Sequence, residues 1–175
     1  MDLSYPIGRF EWPQAVSAEE RKEHIEEIAA APAHFQEATR GLDDWQLDTP
    51  YRPGGWTVRQ VVHHFADSHI NAYVRFRLAL TENEPVIKPY DEKRWAELAD
   101  ARGAPLELSL QLIDSLHQRW VDLLRSFSEA DFARTFRHPE LPEPVRLDTY
   151  LASYAWHCRH HAAHITSLRQ RMGWK

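Results

Sequence analysis

Four stretches of the chain carry apolar residues at helical rather than alternating spacing, separated by polar connections rich in proline and glycine. The first opens at Ser17, with Glu20 three residues on as a capping box, and runs through Ile25 and Ile28. Pro32 predicts a kink or a break, after which the pattern resumes to about Arg40 and Gly41 can end it. Residues 42–55 hold Asp43, Asp44, Pro50, Pro53, Gly54 and Gly55, the composition of a loop. Thr57 with Gln60 forms a second capping box. It opens a helix of about 25 residues with Val58, Val61, Val62, Phe65, Ala72, Phe76 and Ala79 on one face. Residues 83–104 read as irregular, with a short helix near Trp95. A third long helix fits 106–126, where Leu108, Leu112, Leu116, Trp120 and Leu124 recur every four residues. One more turn fits Ser128 to Phe132, and 135–146 reads as a small β-hairpin or a plain loop. Asp148 can cap a last helix from 149 to about 172, closed by Gly173. Residues 1–16, with Pro6, Pro13 and several aromatics, read as an extended arm packed on the body.

Four long amphipathic helices bury their apolar stripes most simply as an all-α antiparallel four-helix bundle. A chain of 175 residues suits a single domain spanning 1–175. At 43% hydrophobic and 27% charged residues, the composition excludes a disordered chain. The sole cysteine, Cys158, allows no internal disulfide and sits on the apolar stripe of the last helix, as a small core residue. It fits a reducing cytoplasm, the expected location. The N-terminal residues lack the basic-then-apolar pattern of a signal peptide, and no apolar run is long enough to span a membrane. A net charge of −5 argues against nonspecific nucleic-acid binding, which needs a basic surface.

Histidine changes this ordinary picture. Seven of the 11 histidines fall in two segments, His63, His64 and His69 in one and His157, His160, His161 and His164 in the other. On a helical wheel His161 lies at the edge of the stripe formed by Leu151, Ala155, Cys158, Ala162 and Ile165. His157 lies one turn back on the same side, and the i, i+4 spacing lets both rings meet one ion. His160 points nearly opposite the stripe, toward solvent, and His164 lies further round. On the second long helix His69 falls within the apolar face, as a satisfied core residue would. His63 points away from that face, and His64 lies on the flank with Ser68 and Asn71. The flank suits an inter-helix cavity, which makes His64 the third ligand. Three neutral nitrogens leave a coordination position open, as catalytic sites do. No glutamate follows the first histidine of the pair, so the zinc-peptidase motif is absent. Asp67, one turn after His64, is a candidate to orient a ligand ring or take a proton, or else a surface carboxylate. Arg75 and Arg77 are candidates to attract an anion, or ordinary helix-surface arginines.

The segments LSYPIG at 3–8, DTPYRPGGWTVRQVVHHFADSH at 48–69, PYDEKRW at 89–95, WHCRHHAAHIT at 156–166 and RMGWK at 171–175 resemble the DinB/YfiT-like superfamily along nearly the whole chain. The resemblance implies a four-helix bundle with a three-histidine site for zinc or nickel, one ion per subunit, and a homodimer. It selects His64 as the second histidine of VVHH, His157 as the one after Trp156, and its partner His161. The activity it implies is metal-dependent hydrolysis of a small-molecule substrate that the sequence does not name. Transfer of a low-molecular-weight thiol, known elsewhere in the superfamily, is the alternative reaction, and a non-catalytic metal-binding protein is the other alternative.

Overall fold

The computed structural model describes residues 2–175; Met1, the first residue of the expected arm, lies outside the described residues. The four long helices are α1 (Ala18–Thr39), α3 (Val58–Thr81), α6 (Leu106–Arg125) and α8 (Leu147–Met172). Between them lie the short helices α2 (Asp44–Leu47), α4 (Glu92–Trp95), α5 (Ala99–Gly103) and α7 (Glu129–Phe132), with strands β1 (Thr135–Phe136) and β2 (Val145–Arg146). Both long-helix capping boxes form as their sequences predict, Ser17 with Glu20 and Thr57 with Gln60. Gly173 closes α8 in the left-handed region at φ 67°. β1 and β2 pair antiparallel, Thr135 opposite Arg146, so the 135–146 segment is a small hairpin. Among the described residues no helix is long and apolar enough to cross a membrane.

The structure departs from the sequence reading in instructive places. Pro32 does not break α1, which runs through it as one helix. The stretch 42–55 contains α2, started by a capping box of Asp43 with Gln46. The irregular 83–104 segment contains α5 as well as the expected turn at Trp95. Asp148 is not the cap of α8: Arg146 occupies that position, and Asp148 is buried in the first turn, paired with Arg146 at 2.7 Å. On α6, Leu108 and Leu112 are exposed, and the buried set is Leu106, Ser109, Ile113, His117, Trp120, Val121 and Leu124. Steps of four residues advance about 400° rather than 360°, so a strict every-four row winds off one face within a few turns.

Around the bundle α1 packs on α6 and α8, and α3 packs on the same two. The contacts fix the directions. Ile28 meets His117 while Glu26 meets Arg125, so α1 and α6 are antiparallel. Ser68 meets Tyr154 and Arg75 meets Tyr150, so α3 and α8 are antiparallel. Glu27 faces Arg159 and Ala38 faces Arg169, so α1 and α8 run the same way. His63 meets Ser109 and His69 meets His117, so α3 and α6 also run the same way. The long helices are therefore up, down, down, up in chain order, and two of the four packed pairs are parallel. α3 has 24 residues, roughly 36 Å at the helical rise. The chain must return over that length before starting α6, and α4, α5 and their flanking segments make this return.

Phe35, Phe65, Phe76, Trp120, Phe136 and Leu151 are among the fully buried side chains of one continuous core. The return segment is clamped to α3 by two of its residues. Buried Arg59 donates to the Ala104 carbonyl at 3.1 Å while pairing with Asp44 and Asp48 across from it. Gln60 donates from Nε2 to the Ala96 carbonyl at 2.7 Å, so one cap residue both starts α3 and holds a wall over its first turns.

Candidate metal centre

The second turn of α3 and the middle of α8 face each other across the bundle, and each projects histidines into the gap. His64 from α3 and His157 and His161 from α8 each place a ring nitrogen within 4.8 Å of the others. The Nε2 atoms of His157 and His161 are 3.1 Å apart. Two nitrogens on a tetrahedral zinc ion stand roughly 3.3 Å apart at ordinary Zn–N lengths. His64 and His161 are buried, and His157 is partly accessible. Burial pushes the His64 imidazolium pKa down to about 4, with the neighbouring His164 adding to the effect. Burial, then the crowding of other histidines, holds His157 and His161 well below the usual histidine range. All three are therefore neutral at pH 7, the protonation state a metal ligand needs. The donor set fits a divalent transition ion, and no thiolate or carboxylate is among these three residues.

Aromatic groups fix the rings in place. Trp56, immediately before the α3 cap, packs its ring 4.5 Å from that of His64. His157 is held from behind: its Nδ1 is 3.1 Å from His69 Nε2. His69 Nδ1 is in turn 2.9 Å from His117 Nε2 on α6. His69 is completely buried against Phe65, as its place on the apolar face predicts. His117 is not among the residues that the sequence pattern singles out. Its spacing with Ile113, Trp120 and Leu124 marks it as a buried position, and the every-four leucine row obscured that.

Above the triad lies an open pocket of about 610 Å³, where His64 and His161 share the lining with Arg52, Lys93, Glu97 and Tyr5. The N-terminal arm forms part of its wall. His164 donates from Nε2 to the Ser4 carbonyl at 3.2 Å and stacks on Tyr51 with ring centroids 4.0 Å apart. His160, expected in solvent, is buried instead, because Trp156 stacks on it at 4.2 Å and Tyr5 of the arm lies beside it. His160, His161 and His164 also approach closely enough to share an ion, overlapping the first group at His161. His63, expected to point outward, is buried too: Ser109 on α6 meets its Nδ1 at 2.7 Å and the Ala104 carbonyl meets its Nε2 at 3.2 Å. Neighbouring elements cover what a single-helix wheel leaves open.

The remaining candidates lie elsewhere. Asp67 neither lines the pocket nor hydrogen-bonds a ring of the three histidines; burial and Asp100 push its carboxyl pKa up to about 6. Arg75 is buried and donates to the Tyr150 hydroxyl at 2.8 Å, while exposed Arg77 donates to Tyr73 at 3.0 Å. Cys158 is buried in the core, and burial raises its thiol pKa well above the ordinary value.

The chain is similar to known proteins along its whole length. A curated relative from Bacillus mycoides (strain KBAB4) is 54% identical over 173 residues, covering 99% of each chain. One from Bacillus cereus (strain B4264) matches to the same extent. Both bear the provisional name of metal-dependent hydrolase. Among solved structures, YfiT from Bacillus subtilis is described as a probable metal-dependent hydrolase with an unusual four-helix bundle topology. It matches with a TM-score of 0.97 and 50% identity over 100% of both chains. The profile of the DinB superfamily matches residues 27–165, and with these relatives at more than half identity the chain belongs to that superfamily.

Proposed function

We propose that the protein is a metal-dependent hydrolase in which His64, His157 and His161 hold one divalent ion per subunit, zinc before nickel. The observation that carries this reading is the convergence of three neutral imidazoles beside an open pocket large enough for a small molecule. A divalent ion held there supplies Lewis acidity, which lowers the pKa of water toward about 7 and polarises a substrate carbonyl or related group. The chain's own contribution is positioning. Trp56 and His69 hold the ligand rings, and the arm and the 82–105 return segment contribute walls of the pocket. Arg52 and Lys93 on its rim offer positive charge to an anionic substrate, the role first considered for Arg75 and Arg77. Asp67, with its carboxyl near neutrality, is the weaker candidate for a proton acceptor, since it does not line the pocket.

The test is metal analysis of untagged protein. We expect about one zinc or nickel per chain, lost on His64→Ala, His157→Ala or His161→Ala with the helical circular dichroism retained. Full metal retention in these variants would overturn the ligand assignment. Hydrolysis and thiol transfer separate in one assay: turnover of an ester or amide panel in water supports the first, and turnover that requires an added small thiol supports the second. We further propose a homodimer in the cytoplasm. Exposed Leu108 and Leu112, one turn apart on α6, support an intersubunit contact.

A further inference from the structure

Pro32 sits inside α1 and carries no amide hydrogen. The helical acceptor four residues earlier, the carbonyl of Ile28, therefore lacks its regular donor. His117 on α6 supplies one, with Nδ1 2.7 Å from Ile28 O. A carbonyl only accepts, so His117 carries its proton on Nδ1. A neutral imidazole has a single N–H, so His117 Nε2 is an acceptor and the proton in its 2.9 Å contact comes from His69 Nδ1. His69 Nε2 is then an acceptor as well, and the proton in its 3.1 Å contact comes from His157 Nδ1. His157 is left with its lone pair on Nε2, the atom that faces His161. His69 and His117 are buried, Phe65 and Trp120 pack around both, and among the described residues no carboxylate hydrogen-bonds either ring.

We infer that Pro32, His117 and His69 form a positioning relay, in which a backbone carbonyl freed by proline fixes the tautomer of His157 and turns its Nε2 lone pair toward the metal position. The inference rests on the reading of His157 as a ligand. Ligating histidines usually hand their second N–H to a carboxylate, a carbonyl or water. Here two further histidines intervene, and the carbonyl that ends the chain lies on α1, a helix that contributes no ligand. The relay thus ties three helices to the orientation of one ring on the fourth, and it gives Pro32 a reason to stand inside α1.

The experiment reads tautomers directly. Protein labelled with ¹⁵N-histidine and stripped of metal by chelator is measured by long-range ¹H–¹⁵N correlation, so the outcome does not depend on metal or on activity. We expect His117, His69 and His157 all to carry the proton on Nδ1, although free imidazole side chains favour Nε2–H. A His157 protonated on Nε2 in the wild type overturns the relay. In His117→Phe we expect His157 to lose its single tautomer and zinc affinity, measured by chelator competition, to fall 10–100-fold. His117→Gln, whose amide can donate to Ile28 and accept from His69, recovers most of that affinity. Unchanged tautomer and affinity in His117→Phe would also overturn the relay. Should that variant not fold, the wild-type spectrum still decides. A wild type that takes up no zinc refutes the ligand assignment, while the tautomers of the stripped protein judge the relay separately.

Discussion

Burial sets the pH behaviour of the individual histidines. His64 and His117 are each pushed down to about 4, against an unfolded value near 6.5. The folded state therefore prefers both rings neutral, and protonation of the unfolded chain drains stability as pH falls below about 6.5. The loss continues until the folded-state value near 4 is reached. At pH 5 each contributes a loss of at most about 2 kcal/mol. Denaturant unfolding of the metal-stripped protein should show a midpoint that drops markedly between pH 7.5 and pH 5; an equal midpoint at both would contradict the buried, neutral assignment. Cys158 gives a second expectation at this scale. Its thiol is buried and its pKa raised, so it should react with Ellman's reagent only after denaturation. At the residue scale the sequence was most legible where one helix suffices: His157 and His161 share a face by spacing, and Cys158 sits on the apolar stripe. His63 and His160 were misread because Ser109, Ala104, Trp156 and the arm cover them, and only Trp156 belongs to the same helix as its histidine.

Helix ends were the most readable elements, because a capping box is a local hydrogen-bond exchange that needs no tertiary partner. Ser17 with Glu20 and Thr57 with Gln60 both form it. The short α2 and α5 escaped because the prolines and glycines of their segments, 42–55 and 83–104, read as loop. Pro32 belongs to this scale too. Proline in a helix interior costs about 3 kcal/mol relative to alanine, so Pro32→Ala should raise the melting temperature. If the Ile28 carbonyl then turns back to its helical donor, zinc affinity should fall several-fold in the same variant. Gains in both stability and affinity would argue that proline serves only α1. The arm yields a further test. His164 holds the Ser4 carbonyl and Tyr5 lies against His160. Deleting residues 2–12 should therefore leave the bundle folded and make His160 and His164 reactive toward diethylpyrocarbonate, read by peptide mass spectrometry. Unaltered protection would mean the arm does not cover them.

At the scale of the whole molecule, four long helices and a three-histidine centre determine less than their order does. The up-down-down-up arrangement places α3 between α6 and α8, so that His69 can reach His117 on one side and His157 on the other. The parallel α3–α6 pair obliges the chain to make the long 82–105 return, and that return supplies Lys93 and Glu97 to the pocket. The exposed leucines of α6 test the assembly: Leu112→Glu should shift sedimentation at micromolar concentration from dimer to monomer without loss of helicity. A wild type that sediments only as a monomer would remove the dimer proposal.

The sequence by itself determined the four long helices, the capping boxes of α1 and α3 and the inward faces of α3 and α8, because these depend on groups within a few residues of one another. It also brought His157 and His161 together, since one turn of helix places them so. Which helices lie side by side, and in which direction, was decided only by tertiary packing, because the same apolar stripes would serve several bundle topologies. The pairing of a proline on α1 with a histidine on α6 was likewise invisible. A freed carbonyl announces itself in sequence, but the donor that takes it comes from 89 residues away along the chain.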